Sequence, residues 1–79
     1  MNVRVMLYGT FGRLFEGYDH THGLMVEIPD RATVADLLTS LKIPNRRGAV
    51  TIMEGRVLDS DEKLRDGNVV KVFQKIAGG

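Results

Sequence analysis

Hydrophobic and polar positions alternate with a period of two over residues 3–8, with Val3, Val5 and Leu7 on one side and Arg4, Met6 and Tyr8 on the other. Such alternation marks a half-buried strand, and Gly9 ends it. Phe11, Leu14 and Phe15 then recur at helical spacing between Gly12 and Gly17, which predicts a short helical turn capping one end of a core. Residues 17–23 form a polar loop. Leu24, Val26 and Ile28 alternate again with Met25 and Glu27, giving a second strand stopped by Pro29 and Asp30.

The period then changes. Val34, Leu37, Leu38 and Leu41 lie at i, i+3, i+4 and i+7, an apolar stripe along one side of a helix. Thr33 followed by Asp36 reads as a capping box, and Asp36 near the start with Lys42 near the end suits the helix dipole. A helix over residues 34–42 is predicted, ended by Ile43 and Pro44. Residues 45–48 read as a loop and 49–53 as a third strand. Glu54-Gly55 reads as a tight turn, 56–58 as a short fourth strand, and 60–64 as one helical turn capped by Ser60 with Leu64 inward. Asp66-Gly67 is a turn, and residues 69–73 are the last strand, with Val70 and Val72 inward.

The order is strand, turn, strand, helix, strand, strand, turn, strand. One helix has to cover one face of a mixed sheet of four to five strands. The first two strands pair as a hairpin, and the last lies parallel to the first across the helical crossover. This α+β arrangement is a β-grasp, or ubiquitin-like, roll.

Composition narrows the function classes. A chain of 79 residues is one domain, and its apolar content of 43% suffices for one small core. A net charge of +1 argues against nucleic acid as the main partner, because phosphate binding needs a concentrated basic stripe. The absence of cysteine excludes disulfides, thiolate metal sites and a cysteine nucleophile within the chain, and fits a cytoplasmic protein held by packing. No apolar run approaches the roughly 18–20 residues that span a bilayer. His20 and His22 have no supporting ligand set for a metal, and Asp59, Asp61 and Glu62 lack the spacing of a calcium loop, so no metal is expected.

The division that follows is a domain over residues 1–73 and a flexible C-terminal tail over 74–79, reading Gln74-Lys75-Ile76-Ala77-Gly78-Gly79. Two final glycines leave no Cβ beside the terminal carboxylate. Six extended residues reach about 20 Å, enough to thread a narrow channel. A frayed end gives the same composition. On the last strand Val69, Lys71 and Phe73 share the outer side if Val70 and Val72 face the helix. Phe73 then either belongs to an exposed docking patch or closes the edge of the core. Ile52 or Met53 extends that patch, and Lys71, Lys75, Arg46 and Arg47 are its candidate cations.

Several segments together resemble the MoaD/ThiS family of small sulfur-carrier proteins over nearly the whole chain. They are the opening strand, "PDRATVADLL" from residue 29, "MEGRVL" from 53, "LRDGNVVKVF" from 64, and the closing Ala77-Gly78-Gly79. Within the family, "YGTFGRLFEG" over residues 8–17 is most similar to the molybdopterin synthase small subunit. Residues 53–56 and 74–76 depart from the commoner family turn and pre-terminal run.

The resemblance implies a carrier and co-substrate rather than an enzyme. A ubiquitin-activating-type adenylyltransferase consumes ATP to adenylate the Gly79 carboxylate, and a persulfide sulfur donor converts it to a thiocarboxylate. The sulfur then passes to a precursor held by an acceptor such as the molybdopterin synthase large subunit. Gly78 and Gly79 are the reactive end. Val69, Lys71, Phe73, Lys75, Ile76 and Ala77 are the expected partner contacts, with no bound cofactor, no nucleic acid and no membrane. The alternatives are a carrier for the thiazole of thiamine, a ubiquitin-like modifier joined to target lysines through Gly79, and a β-grasp interaction module with an incidental Gly-Gly end.

Overall fold

The computed structural model describes residues 1–43 and 49–74. Pro44, Arg46, Arg47 and residues 75–79, including Gly78 and Gly79, lie outside the described residues. Five strands, β1 (Asn2–Leu7), β2 (Leu24–Glu27), β3 (Ala49–Met53), β4 (Arg56–Val57) and β5 (Val69–Gln74), form one sheet in the order β2-β1-β5-β3-β4. β1 pairs with β2 antiparallel and with β5 parallel, while β3 pairs antiparallel with both β5 and β4. This is the β-grasp topology expected from the sequence, with five strands. β5 keeps its pairing through Gln74, the first residue of the expected tail.

The inward residues of the alternating runs make the core. Val3, Val5, Val70 and Val72 are fully buried, and Leu7 nearly so. The helix α1 (Val34–Ser40) lays Val34, Leu37 and Leu38 on them. Each such side chain contributes about 1.5–3 kcal/mol on leaving water. The capping box forms as predicted: the Thr33 hydroxyl accepts from the Asp36 amide at 3.2 Å, and the Asp36 carboxylate accepts from the Thr33 amide at 2.9 Å.

The helix ends earlier than the apolar stripe suggests. Its C-cap is Leu41, and Lys42 takes a left-handed φ of 60°. The Lys42 amide donates to the Thr39 carbonyl and the Ile43 amide to the Leu38 carbonyl, at 3.0 and 2.9 Å. This is a Schellman closure, in which buried Ile43 packs back toward Leu38.

Residues 60–64 are not a helical turn. The Glu62 amide donates to the Asp59 carbonyl at 3.1 Å, closing a β-turn. The carbonyls that a helix would use internally go to the next element instead. Ser60 accepts from the Ala35 amide at 2.9 Å and Glu62 from the Val34 amide at 3.0 Å. With the capping box, these bonds occupy every orphan donor of the first turn of α1. Leu64 is buried, as expected.

The turn after β1 is a 3₁₀ helix, Gly9–Leu14, with Phe11 buried over one end of the core. Tighter winding than the predicted helical turn suits its two glycines and its length of 6 residues. Glu54 and Gly55 both have positive φ, 53° and 78°, and join β3 to β4 as a two-residue hairpin loop. No helix among the described residues is long and apolar enough to cross a membrane.

Candidate functional site: the outer sheet face and the root of the last strand

Register decides what the uncovered face of the sheet presents. Arg4 stands opposite both Met25 and Val69, Lys71 opposite both Met6 and Ile52, and Phe73 opposite Val50. Ile52 in turn faces Val57 on β4. Cross-strand partners point to the same side, so these residues share the face turned away from α1. Among the described residues the most exposed large hydrophobics are Val57 (59%), Met25 (58%), Val69 (47%) and Tyr8 (38%), and all four belong to this face. Exposed apolar surface gathered on one side of a small domain marks a docking surface more than scattered single residues do.

The expected contacts separate here. Val69 and Lys71 are exposed on this face. Phe73 is on it too but half-buried, because the Tyr8 ring stacks on it with centroids 4.5 Å apart and planes 7° from parallel. Neither reading of Phe73 holds in full: its ring lies on the outer face half-covered by Tyr8 and is not part of the buried core. Ile52, not Met53, extends the face, since Met53 packs against the core. Ile52, Glu54, Gly55, Val69, Lys71 and Phe73 surround a shallow depression. Among the described residues, Lys71 has no carboxylate partner. Lys75, Ile76, Ala77, Gly78 and Gly79 follow directly on β5 in sequence but lie outside the described residues.

Sequence reasoning missed Tyr8, Met25 and Val57. The signal for Tyr8 was present: it alternates with Leu7 onto the outer side, and parallel β1–β5 pairing brings it beside Phe73. Val57 has no such signal, because a strand of 2 residues is too short to show a period.

The polar loop over 17–23 has a structural role. The Leu7 amide donates to the Tyr18 hydroxyl at 2.6 Å, and that hydroxyl donates to the Leu7 carbonyl at 3.4 Å, so a side chain continues β1's edge where β2 has ended. His20 meets the Tyr18 ring edge-on at 4.9 Å. His22 bonds Asp19 through Nδ1 at 2.7 Å, and the Arg4 guanidinium donates to the His22 carbonyl at 2.6 Å. The His22 bond, then the Thr21 amide, holds the Asp19 carboxyl below its ordinary value of 3.8. The described residues hold no group of three His, Cys, Asp or Glu arranged for a metal. Glu62, weighed with Asp59 and Asp61 as a calcium ligand, instead accepts from the Asp59 amide at 2.6 Å and from Arg56 at 2.9 Å.

Comparison with known proteins adds to this geometry. The model of the ThiS family matches residues 11–79. Among solved structures, SAMP1 from Haloferax volcanii superposes with a TM-score of 0.75, covering 100% of both chains at 15% identity, a likeness of fold. No curated protein matches the chain.

Proposed function

The chain belongs to the ThiS family of ubiquitin-like sulfur carriers, and from that premise we propose that the Gly79 carboxylate is the group it carries through adenylation to a thiocarboxylate. Such carriers are not enzymes themselves; they work with an activating enzyme and an acceptor. The observation that carries the proposal is the course of β5. It runs through the middle of the sheet, paired with β1 from Val69 to Val72 and with β3 from Lys71 to Gln74, and is followed by five residues that finish in Gly78-Gly79.

The chemistry explains why the end has to be bare. A carboxylate is a poor acyl donor, since its charge repels nucleophiles and oxide is a poor leaving group. Its oxygen attacks the α-phosphate of ATP in the activating enzyme, releasing pyrophosphate and forming an acyl-adenylate. The terminal sulfur of a protein persulfide then displaces AMP, leaving an acyl disulfide. A thiol cleaves the disulfide and releases the thiocarboxylate, the covalent-intermediate logic by which one hard step becomes two easier ones. The chain's own contribution is presentation: glycine at 78 and 79 adds no Cβ to a narrow channel, and the outer face around Val69 and Lys71 docks the adenylyltransferase. ATP is consumed by the activating partner as a co-substrate, and the proposal assigns this chain no cofactor of its own.

The sulfur's destination is proposed as the pterin precursor of the molybdenum or tungsten cofactor, accepted in a synthase large subunit. The six-residue 3₁₀ helix after β1 supports this, being the segment whose sequence is similar to the molybdopterin synthase small subunit.

The test is mass spectrometry of the whole chain after incubation with its activating enzyme, ATP and a sulfur donor. A gain of about 16 Da, sulfur for oxygen at the terminal acyl group, is expected. Gly79→Ala is expected to fold normally and gain no mass. Equal gain in a chain lacking Gly79 sinks the assignment, and lysine-linked conjugates in place of thiocarboxylate establish the modifier alternative.

A further inference from the structure

The β1 ladder alongside β5 stops before β5 itself does. The β1–β5 ladder ends at Leu7 opposite Val72, followed by one bond from the Tyr8 amide to the Val72 carbonyl at 3.0 Å. Gly9 then turns away with φ +67°. Phe73 and Gln74 still pair with Val50 and Ala49 of β3 on the other side.

On that side Tyr8 and Gly9 approach the end of β5. The Tyr8 ring lies flat on the Phe73 ring. The backbone of Gly9 comes so close to Gln74 that a Cβ on Gly9 would stand 3.3 Å from Gln74 Oε1 and 3.4 Å from its Cβ. A turn with positive φ and a missing side chain thus lets the backbone approach the last residue of the strand. Both contacts act on residues 73 and 74, which precede Gly79 by six and five residues in sequence.

We propose that Tyr8 and Gly9 are positioning residues for acyl activation, holding the end of β5 so that the five residues after Gln74 start from a fixed point and direction. The proposal rests on the function proposed above and adds a role to a part of the chain remote in sequence from the reactive end. An arm of five residues spans at most about 18 Å, so its reach into an active site depends on where its root is held. Aligning reacting groups is an entropic contribution that loosening the root would remove. A docking contact acts differently, since it changes how much carrier binds rather than how often bound carrier reacts.

The experiment has two arms. The first measures backbone order parameters by NMR on the free full-length chain. Tyr8→Ala is expected to lower them at Phe73 and Gln74 from about 0.85 toward 0.6, with residues 69–72 unchanged and Tyr8→Phe like wild type. Unchanged values at 73 and 74 overturn the clamp. The second arm is ATP–pyrophosphate exchange by the chain's activating enzyme with carrier as the varied substrate. Tyr8→Ala is expected to lower kcat about tenfold to a hundredfold, with KM rising no more than a few-fold for its share of the docking face, and Tyr8→Phe restoring kcat. A rise in KM with kcat intact overturns positioning in favour of docking alone. If Tyr8→Ala is poorly folded, Tyr8→Leu, which keeps apolar bulk without a ring to stack, replaces it. A wild-type chain that is never adenylated overturns the functional reading, while the NMR arm still judges whether the clamp exists.

Discussion

Thr51 shows what a single atom contributes at the residue scale. It sits on the inner side of β3, only 3% exposed, and its hydroxyl is a buried side-chain oxygen with no hydrogen-bond partner among the described residues. Stripping a hydroxyl of water without a new partner costs about 1–3 kcal/mol. Thr51→Val keeps the branched shape and removes the orphan oxygen. It is expected to raise stability by about 1 kcal/mol, read as a higher urea midpoint at unchanged slope. Gly23 is the opposite case. Its φ is +70°, and a Cβ there would run into the Val5 carbonyl and stand 2.6 Å from the Met6 sulfur, so the loop can close on β1 only with glycine. Neither fact was legible in the sequence. Alternation shows that Thr51 falls between Val50 and Ile52, but not that no partner exists, and Gly23 reads as one more turn residue until β1 is placed against it.

Elements were legible where one local rule governed them and less so where a neighbour intervened. The capping box and the stripe from Val34 to Leu38 set the start and face of α1, because both lie within a single helix. Its end was set by Lys42 turning left-handed, which a side chain with a Cβ adopts at a cost of about 1 kcal/mol. Lys42→Gly should therefore stabilise the chain by about 0.5–1 kcal/mol and raise Tm by a few degrees in a thermal scan. Residues 60–64 were misread because the Ser60 and Glu62 carbonyls serve the donors of α1, a demand from another element that no local pattern carries. The same turn has a testable acid dependence. The Asp59 amide first, and Arg56 second, hold the Glu62 carboxyl below its ordinary value of 4.5. A depressed value means that the carboxylate contributes stability above 4.5 and that this is lost as pH falls through the lower folded value. Glu62→Gln should be less stable than wild type near neutrality, and the gap in urea midpoint should close on acidification. A gap constant with pH would detach the turn's stability from the carboxylate.

For the whole molecule, the topology was legible because the strand–strand–helix–strand–strand–strand order and the parallel crossover leave few arrangements of one small core. The docking face was legible only in part. Val69, Lys71 and Phe73 came from alternation along one strand, but a face is made by register across five, which brought in Tyr8, Met25 and Val57. Its composition leads to the last prediction. Lys71 is exposed near the centre of this face and has no carboxylate partner among the described residues, so a docking enzyme that covers it has to supply one or leave a buried charge unpaired. Val69→Asp and Lys71→Glu should each weaken binding to the activating enzyme about tenfold or more, measured by calorimetry with the full chain. The urea midpoint should barely move for Lys71→Glu, because an exposed side chain without an ion pair leaves little folded-state interaction to lose. Added salt should weaken the wild-type complex and should not weaken the Lys71→Glu complex by the same factor, since the screened attraction is the one removed. Binding that both variants leave intact would move the docking surface off this face, and the arm beyond Gln74 would then have to carry recognition as well as reactivity.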